Sequence, residues 1–339
     1  MKARSRLICA AAGIALCVAA PAAAETMKMK VAALGTADNP INKCAPVAIA
    51  EEIAARSDGR ITAEMYLGGT AFANPTKLYE QVERGITDYT WAVLSYTPGR
   101  FGLTEVAGLP LLVSDQVVAA RVLNENLEKY LADEFKGVHV LALAVISPNQ
   151  LHLRQPVATI DELKGKRIRT ASGVIADAVN AMGADAVSMP VTEQYESLQR
   201  GVIDGSLAPM ATVAAFRLAE VTKAHVTVNL GTTLGVLALS NKFYNSLPDD
   251  LKTMIDTEFS GPEIGARISD CWNKVGNRAR TLIEEAGNEV VDLDAGEQAK
   301  MEVLVRPVVE EALAKLEASG KPARGFYETL KNEIAAASR

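Results

Sequence analysis

Arg169 is the next-to-last residue of the stretch "GKRIRT" at 165–170, which runs directly into "ASG". In an extended strand Arg167 and Arg169 share one face while Ile168 points to the other. A guanidinium near a strand's carboxyl end can hold a carboxylate through two parallel hydrogen bonds. Taken alone, such an arginine pair reads better as a solvated surface feature. Other chemistries find little support. The only histidines are His139, His152 and His225, and two of them sit in strand-like runs that suit structural imidazoles. The motifs GxSxG, HExxH, GxxxxGK[ST] and CxxC do not occur. No carboxylate pair stands in a context that marks an acid–base couple, and "GGT" at 68–70 is a turn with no GK[ST] after it. Catalysis is therefore disfavoured, and neither cofactor nor metal is expected.

The elements that must position Arg169 begin after a leader. Lys2, Arg4 and Arg6 precede the apolar run "LICAAAGIALCVAA" and the small residues "PAAAE". This pattern predicts a signal peptide over 1–24 and an exported, periplasmic chain. Bulky Leu16 before Cys17 argues against a lipid anchor there. Loss of the three leader cations takes the formal charge from -6 to -9. An acidic chain without a basic block makes nucleic acid a poor partner. The remaining length, about 315 residues, suffices for two domains with their own cores. Cys44 and Cys271 are the cysteines left after the leader. A disulfide and two separate buried thiols are equally open readings.

Strand-like segments alternate with helical ones, which predicts an α/β fold with largely parallel sheets. "MKMKVAAL" reads as a first strand, 44–57 as a helix, "RITAEMYL" as a strand and "TKLYEQVERG" as a helix closed by Gly85. "ITDYTWAVL", "VHVLALAV", "NQLHLR", "KRIRT", "AVSM" and "VIDGSLA" read as further strands, with helices near 115–133, at 174–182 and over "EQYESLQRG". Thr159 and Glu162 have capping-box spacing at a short turn of helix. After "HVTVNL" and "LGVLALS" the chain is mostly helical, broken at Gly261-Pro262, with final helices near 296–317 and 324–336. One phrase occurs twice: "YEQVERGITDYTWA" at 79–92 and "YESLQRGVIDGSLA" at 195–208 agree at six of fourteen places. Each copy is a helix, a turning glycine and a buried strand. Ligands gather beyond the carboxyl ends of strands in open α/β sheets, so the repetition suggests two similar lobes facing one cleft.

Larger motifs sharpen this picture. Residues 156–209 contain P-x-x-x-I-x-E-L-K-G-x-x-I-R, then M-G-A, then E-x-Y-x-S-L-Q-x-G-x-x-D-G. "AEEIAARSDGRITAEMY", "LYEQVERGITDYTWA", "SYTPGRF" and "LPLL" precede them. In order and spacing, across nearly the whole mature chain, these motifs resemble the substrate-binding proteins of TRAP (tripartite ATP-independent periplasmic) transporters. The resemblance implies a two-lobed periplasmic-binding-protein fold with crossing hinge strands and a long interlobe helix. Lobe I is expected over 25–146 plus 234–273, and lobe II over 147–233 plus 274–339, with the C-terminal helices packing across both.

By the same resemblance Arg169 binds the carboxylate of a small organic acid, and the loaded protein docks on TRAP integral membrane subunits; a monomer is the default expectation. Two positions that touch ligand in the family fall on Asn149, where Arg is common, and on Ala208 before Pro209, where Asn is common. One cation with fewer donors favours a monocarboxylate over a dicarboxylate. Trp91, Val93 and Tyr96 offer an apolar, partly aromatic wall for an aromatic or otherwise apolar ligand body. Trp91 reads first as strand packing, and Tyr96, beyond the strand end, as cleft lining. Thr36 and Asn39, after the first strand, are further polar candidates. "DGSLAP" lacks a carboxylate just after Gly205, so no metal bridge is expected. A periplasmic enzyme on a small carboxylate, or a sensory receptor signalling to a kinase or chemoreceptor, remain the alternatives.

Overall fold

The structure, a computed structural model, describes residues 26–171 and 173–338; the leader lies outside them. A first unit contains β1 (Met27–Ala32), α1 (Pro40–Cys44), α2 (Pro46–Arg56), β2 (Ile61–Tyr66), α3 (Leu78–Glu83) and β3 (Tyr89–Val93). Helix α4 (Gln116–Glu125) leads to the long strand β4 (Val138–Leu153). A second unit repeats the plan: β5 (Arg167–Thr170), α5 (Val174–Ala181), β6 (Asp185–Ser188), α6 (Gln194–Gln199) and β7 (Gly205–Pro209). Then come α7 (Met210–Ala215), β8 (Ala224–Thr227), β9 (Thr232–Ser240), α8 (Asn241–Ser246) and α9 (Asp249–Glu258). The chain ends with α10 (Pro262–Glu285), β10 (Glu289–Asp292), α11 (Ala295–Ala318) and α12 (Ala323–Ala337).

The strand order is β2-β1-β3-β9-β4-β7-β5-β6, with β8 on β4 and β10 on β8. Both units thus have the same order, 2-1-3 and 6-5-7, and their strands are parallel. The pairings β3–β9, β9–β4, β4–β7 and β4–β8 are antiparallel, so the sheet is mixed rather than largely parallel. Periodicity identifies a strand but not its direction, and β4 and β9 return from distant parts of the chain. The two strands expected at "VHVLALAV" and "NQLHLR" are one. Ser147-Pro148 looks like a break because proline brings no ladder N–H. The register shifts there, and β4 leaves β9 for β7 and β8. Strand β4 is thus a crossing strand between two lobes.

The repeated phrase folds the same way twice. Gly85 and Gly201 have φ of +64° and +71°, which glycine alone adopts cheaply. Ile86 N–H bonds Gln81 O, and Val202 N–H bonds Ser197 O, both at 2.9 Å. Each aspartate then locks the neighbouring strand: Asp88 accepts from Lys30 N–H, and Asp204 from Arg167 N–H, both at 2.9 Å. Shared residues here encode a shared joint.

Other boundaries shift. The helix expected near 115–133 ends at Glu125 and passes into a π turn, Leu127–Leu131, and a 3-10 turn, Ala132–Phe135. Asn126 turns its amide back onto Val122 O at the junction. Thr159 bonds the Glu162 carboxylate itself rather than capping the backbone. The short elements α7 and β10 had no sequence expectation. Helix α10 packs on α4, β4 and α7, and so touches both lobes. Helix α11 rests on α5, and α12 on α4. A disulfide joins Cys44 of α1 to Cys271 of α10, the first of the two readings left open.

Candidate functional site

Arg169 sits near the carboxyl end of β5 with only 2 % of its surface exposed. Neighbouring Arg167, two residues earlier, stays at the surface in an ion pair with Asp204 at 3.0 Å. The guanidinium of Arg169 donates through Nε to Met189 O at 3.0 Å and through Nη2 to Tyr96 Oη at 3.2 Å. Tyr96 lies just beyond the carboxyl end of β3, in the other lobe, and its hydroxyl also accepts from Val191 N–H at 2.9 Å. One phenol therefore spans the lobes and fixes the cation. Among the described residues no carboxylate forms an ion pair with Arg169.

These groups close a cavity of about 40 Å³ between the lobes. The ends of β3 and β7 supply Trp91, Val93 and Pro209, and β4 and β9 supply Ile146 and Thr233. Trp272 of α10, Phe216 after α7 and Thr212 complete much of the wall, and among the described residues Arg169 is its only charged lining residue. Trp91 and Trp272 stand with ring centroids 6.3 Å apart. Both indole N–H groups are buried without a hydrogen-bond partner among the described residues. Buried donors normally find partners, and these two flank a cavity beside a cation. Trp91 does pack, as its first reading held: Gly235 of β9 makes room for it, since a Cβ there would lie 2.1 Å from the Trp91 ring. It also lines the cavity.

The remaining candidates serve elsewhere. Asn149 is buried, donates to Gly231 O at 3.1 Å and accepts from the Thr233 hydroxyl at 3.2 Å. It positions Thr233 and does not itself line the cavity. Ala208 is also absent from the wall; its carbonyl, 3.1 Å from His152 Nε2, accepts that N–H. His152 and His225 are paired through Nδ1 at 2.8 Å. Burial pushes both imidazoles below the usual histidine range, and His225 lowers His152 further. They are structural and neutral. Thr36 uses its carbonyl to accept from Asn42. Asn39 caps α1 through Ile41 N–H and donates to Ala215 O at 3.2 Å, tying α1 to α7. Neither lines the cavity. Trp272, Phe216, Thr212 and Thr233 were missed. Trp272 carried one signal, being one of two tryptophans in the chain, but helical spacing hides which face meets a ligand.

Among the described residues no group of three or more His, Cys, Asp or Glu is gathered as a metal site, and no helix is long and apolar enough to cross a membrane. Residues 31–316 match the family model described as "Bacterial extracellular solute-binding protein, family 7". The C4-dicarboxylate-binding periplasmic protein DctP of Rhodobacter capsulatus is 27% identical over 321 residues, 90% of this chain and 92% of that protein. A TRAP solute-binding protein from an unidentified marine microbe, specific for aromatic acid ligands and solved with metahydroxyphenylacetate, superposes with a TM-score of 0.88. It shares 27% identity and covers 92% of this chain and 100% of its own. A TRAP solute-binding protein from Rhodoferax ferrireducens with copurified benzoate gives a TM-score of 0.88, 26% identity and coverage of 92% and 99%. With its two lobes, crossing strands and buried interlobe arginine, the chain belongs to this family, the periplasmic solute-binding proteins of TRAP transporters.

Proposed function

We propose that this protein captures a small aromatic monocarboxylate in the periplasm and delivers it, unchanged, to TRAP membrane subunits. The observation that carries this reading is that, among the described residues, one buried cation stands in an otherwise uncharged wall with Trp91, Trp272, Tyr96 and Phe216. One guanidinium balances one carboxylate, and a second carboxylate would be buried without a counter-charge. The orphan indole N–H groups are further donors for an anion. A volume of about 40 Å³ is room for roughly three waters, the bulk of one ring. The relatives whose ligands are aromatic acids and the relative named for C4-dicarboxylates are equally similar in sequence, so the reading rests on the wall chemistry. The three histidines lie outside this wall, which supports binding without catalysis. Capture on Arg169 is followed by closure of the Tyr96 lobe over it, hinged where β4 and β9 cross, so that bound ligand favours the closed form.

Isothermal titration with benzoate, phenylacetate, succinate, malate and galacturonate tests the reading. Benzoate or phenylacetate should bind in the micromolar range, and Arg169→Ala should weaken it by about a hundredfold or more, because charge-assisted hydrogen bonds contribute roughly 1.5–3 kcal/mol each. Binding confined to dicarboxylates or the sugar acid would refute the monocarboxylate assignment. Mass spectrometry of released ligand should return the compound unaltered.

A further inference from the structure

A second cavity of about 40 Å³ lies against the first. Ala171 and Thr233 line both, and the run Val93–Leu94–Ser95–Tyr96 faces them in turn: Val93 and Tyr96 the first, Leu94 and Ser95 the second. The shared Thr233 donates its hydroxyl to Asn149 at 3.2 Å. The second cavity is mostly apolar, with Leu109, Val174, Ile175 and Leu234 in its wall. Two of its polar groups stand out. The Thr232 hydroxyl is buried, 3 % exposed as a residue, and has no partner among the described residues. The Glu105 carboxyl, on a 3-10 turn (Thr104–Gly108), also lacks a hydrogen-bond or ion-pair partner among the described residues.

Glu105 is half-buried and carried on an anchored turn. Its turn is pinned by Glu134, which accepts from Leu103 N–H, Thr104 N–H and the Thr104 hydroxyl and pairs with Lys321. Across the gap, a Cβ on Gly173 would come within 3.9 Å of Glu105 Oε2. Burial, reinforced by the Glu134 charge, pushes the Glu105 carboxyl up to about 7. A buried hydroxyl and a half-buried carboxyl without partners are costly to leave unpaired, and a few polar groups in an otherwise apolar pocket are what orient a ligand. A ligand hydroxyl is one donor and two acceptor sites. It can donate to Glu105 and accept from Thr232 together, whereas an added carboxylate would face Glu105 as a like charge.

We propose that the second cavity is a compartment of the ligand site in which Glu105 and Thr232 bind a hydroxyl group at the far end of the acid, so that the solute is a hydroxy acid. This rests on Arg169 holding the carboxylate. Affinities should be measured for phenylacetate against 3- and 4-hydroxyphenylacetate, and for succinate against malate, on wild type, Glu105→Leu and Glu105→Gln. In wild type one hydroxyphenylacetate should bind at least tenfold tighter than its parent. Glu105→Leu should remove that preference with the parent's affinity kept within about twofold, and Glu105→Gln should keep part of it. The melting temperature of Glu105→Leu should stay level or rise, because an unpaired carboxyl leaves the interior. Equal affinity for parent and hydroxylated ligand in wild type, or equal losses for both in Glu105→Leu and Glu105→Gln, would overturn the compartment while leaving the arginine site standing. Hydroxyl preference appearing only in the malate pair would also overturn the compartment, because malate sets its second carboxylate, not its hydroxyl, at the far end facing Glu105.

Discussion

Arg169 shows why a buried guanidinium needs a frame. Met189 O and Tyr96 Oη fix its plane at 3.0 and 3.2 Å, so little rotamer entropy is left to lose when a carboxylate arrives. Tyr96 does two jobs, since Val191 N–H shares its hydroxyl. Tyr96→Phe removes both contacts, each worth about 0.5–1.5 kcal/mol, and should weaken benzoate or phenylacetate binding by roughly tenfold in a titration. Unchanged or tighter binding would mean that the phenol competes with the ligand for the guanidinium. Taken alone, the arginines of this short strand read as a surface pair, and Arg169 was singled out by its place in the family motif. Asn149 and Ala208 were found by position alone, and position does not say where a side chain spends its hydrogen bonds. Asn149 spends them on Gly231 and Thr233.

At the level of elements, β9 and β3 show how a site is shaped from behind. Gly235 lies opposite Val93 in the antiparallel pair, and its missing Cβ is the space that the Trp91 ring fills. Gly235→Ala should lower stability by about 1–3 kcal/mol, the usual cost of overpacking. It should also weaken ligand binding by tenfold or more, because the ring must move along the cavity wall. A lower melting temperature with wild-type affinity would show that Trp91 packs without touching ligand. The duplicated helix–glycine–strand phrase was the clearest element-level message in the chain. Its glycines, aspartates and apolar strand positions each answer a local demand, so the joint could be read without knowing what packs on it. Strand direction and the continuity of β4 through Pro148 could not, because both depend on partners far away in sequence.

Across the whole molecule, α10 and the Cys44–Cys271 disulfide tie together parts that sequence order separates. The bridge spans 227 positions. A cross-link over so long a loop typically contributes about 2–4 kcal/mol by restricting the unfolded chain. The double variant Cys44→Ser/Cys271→Ser should therefore melt roughly 5 °C or more lower while binding ligand within a few-fold of wild type; a large loss of affinity would tie the bridge to closure of the lobes. By itself the sequence settled what neighbouring residues can decide: the helix–strand alternation, the turning glycines, the repeated joint and an arginine at a strand end. The tertiary structure decided what is assembled from distance. It put Trp272 opposite Trp91, set Tyr96 on Arg169 from the other lobe, and laid a second pocket with Glu105 beside the first. A cavity exists only where surfaces remote along the chain come together, and which atoms remain unpaired inside it depends on packing that no local pattern records.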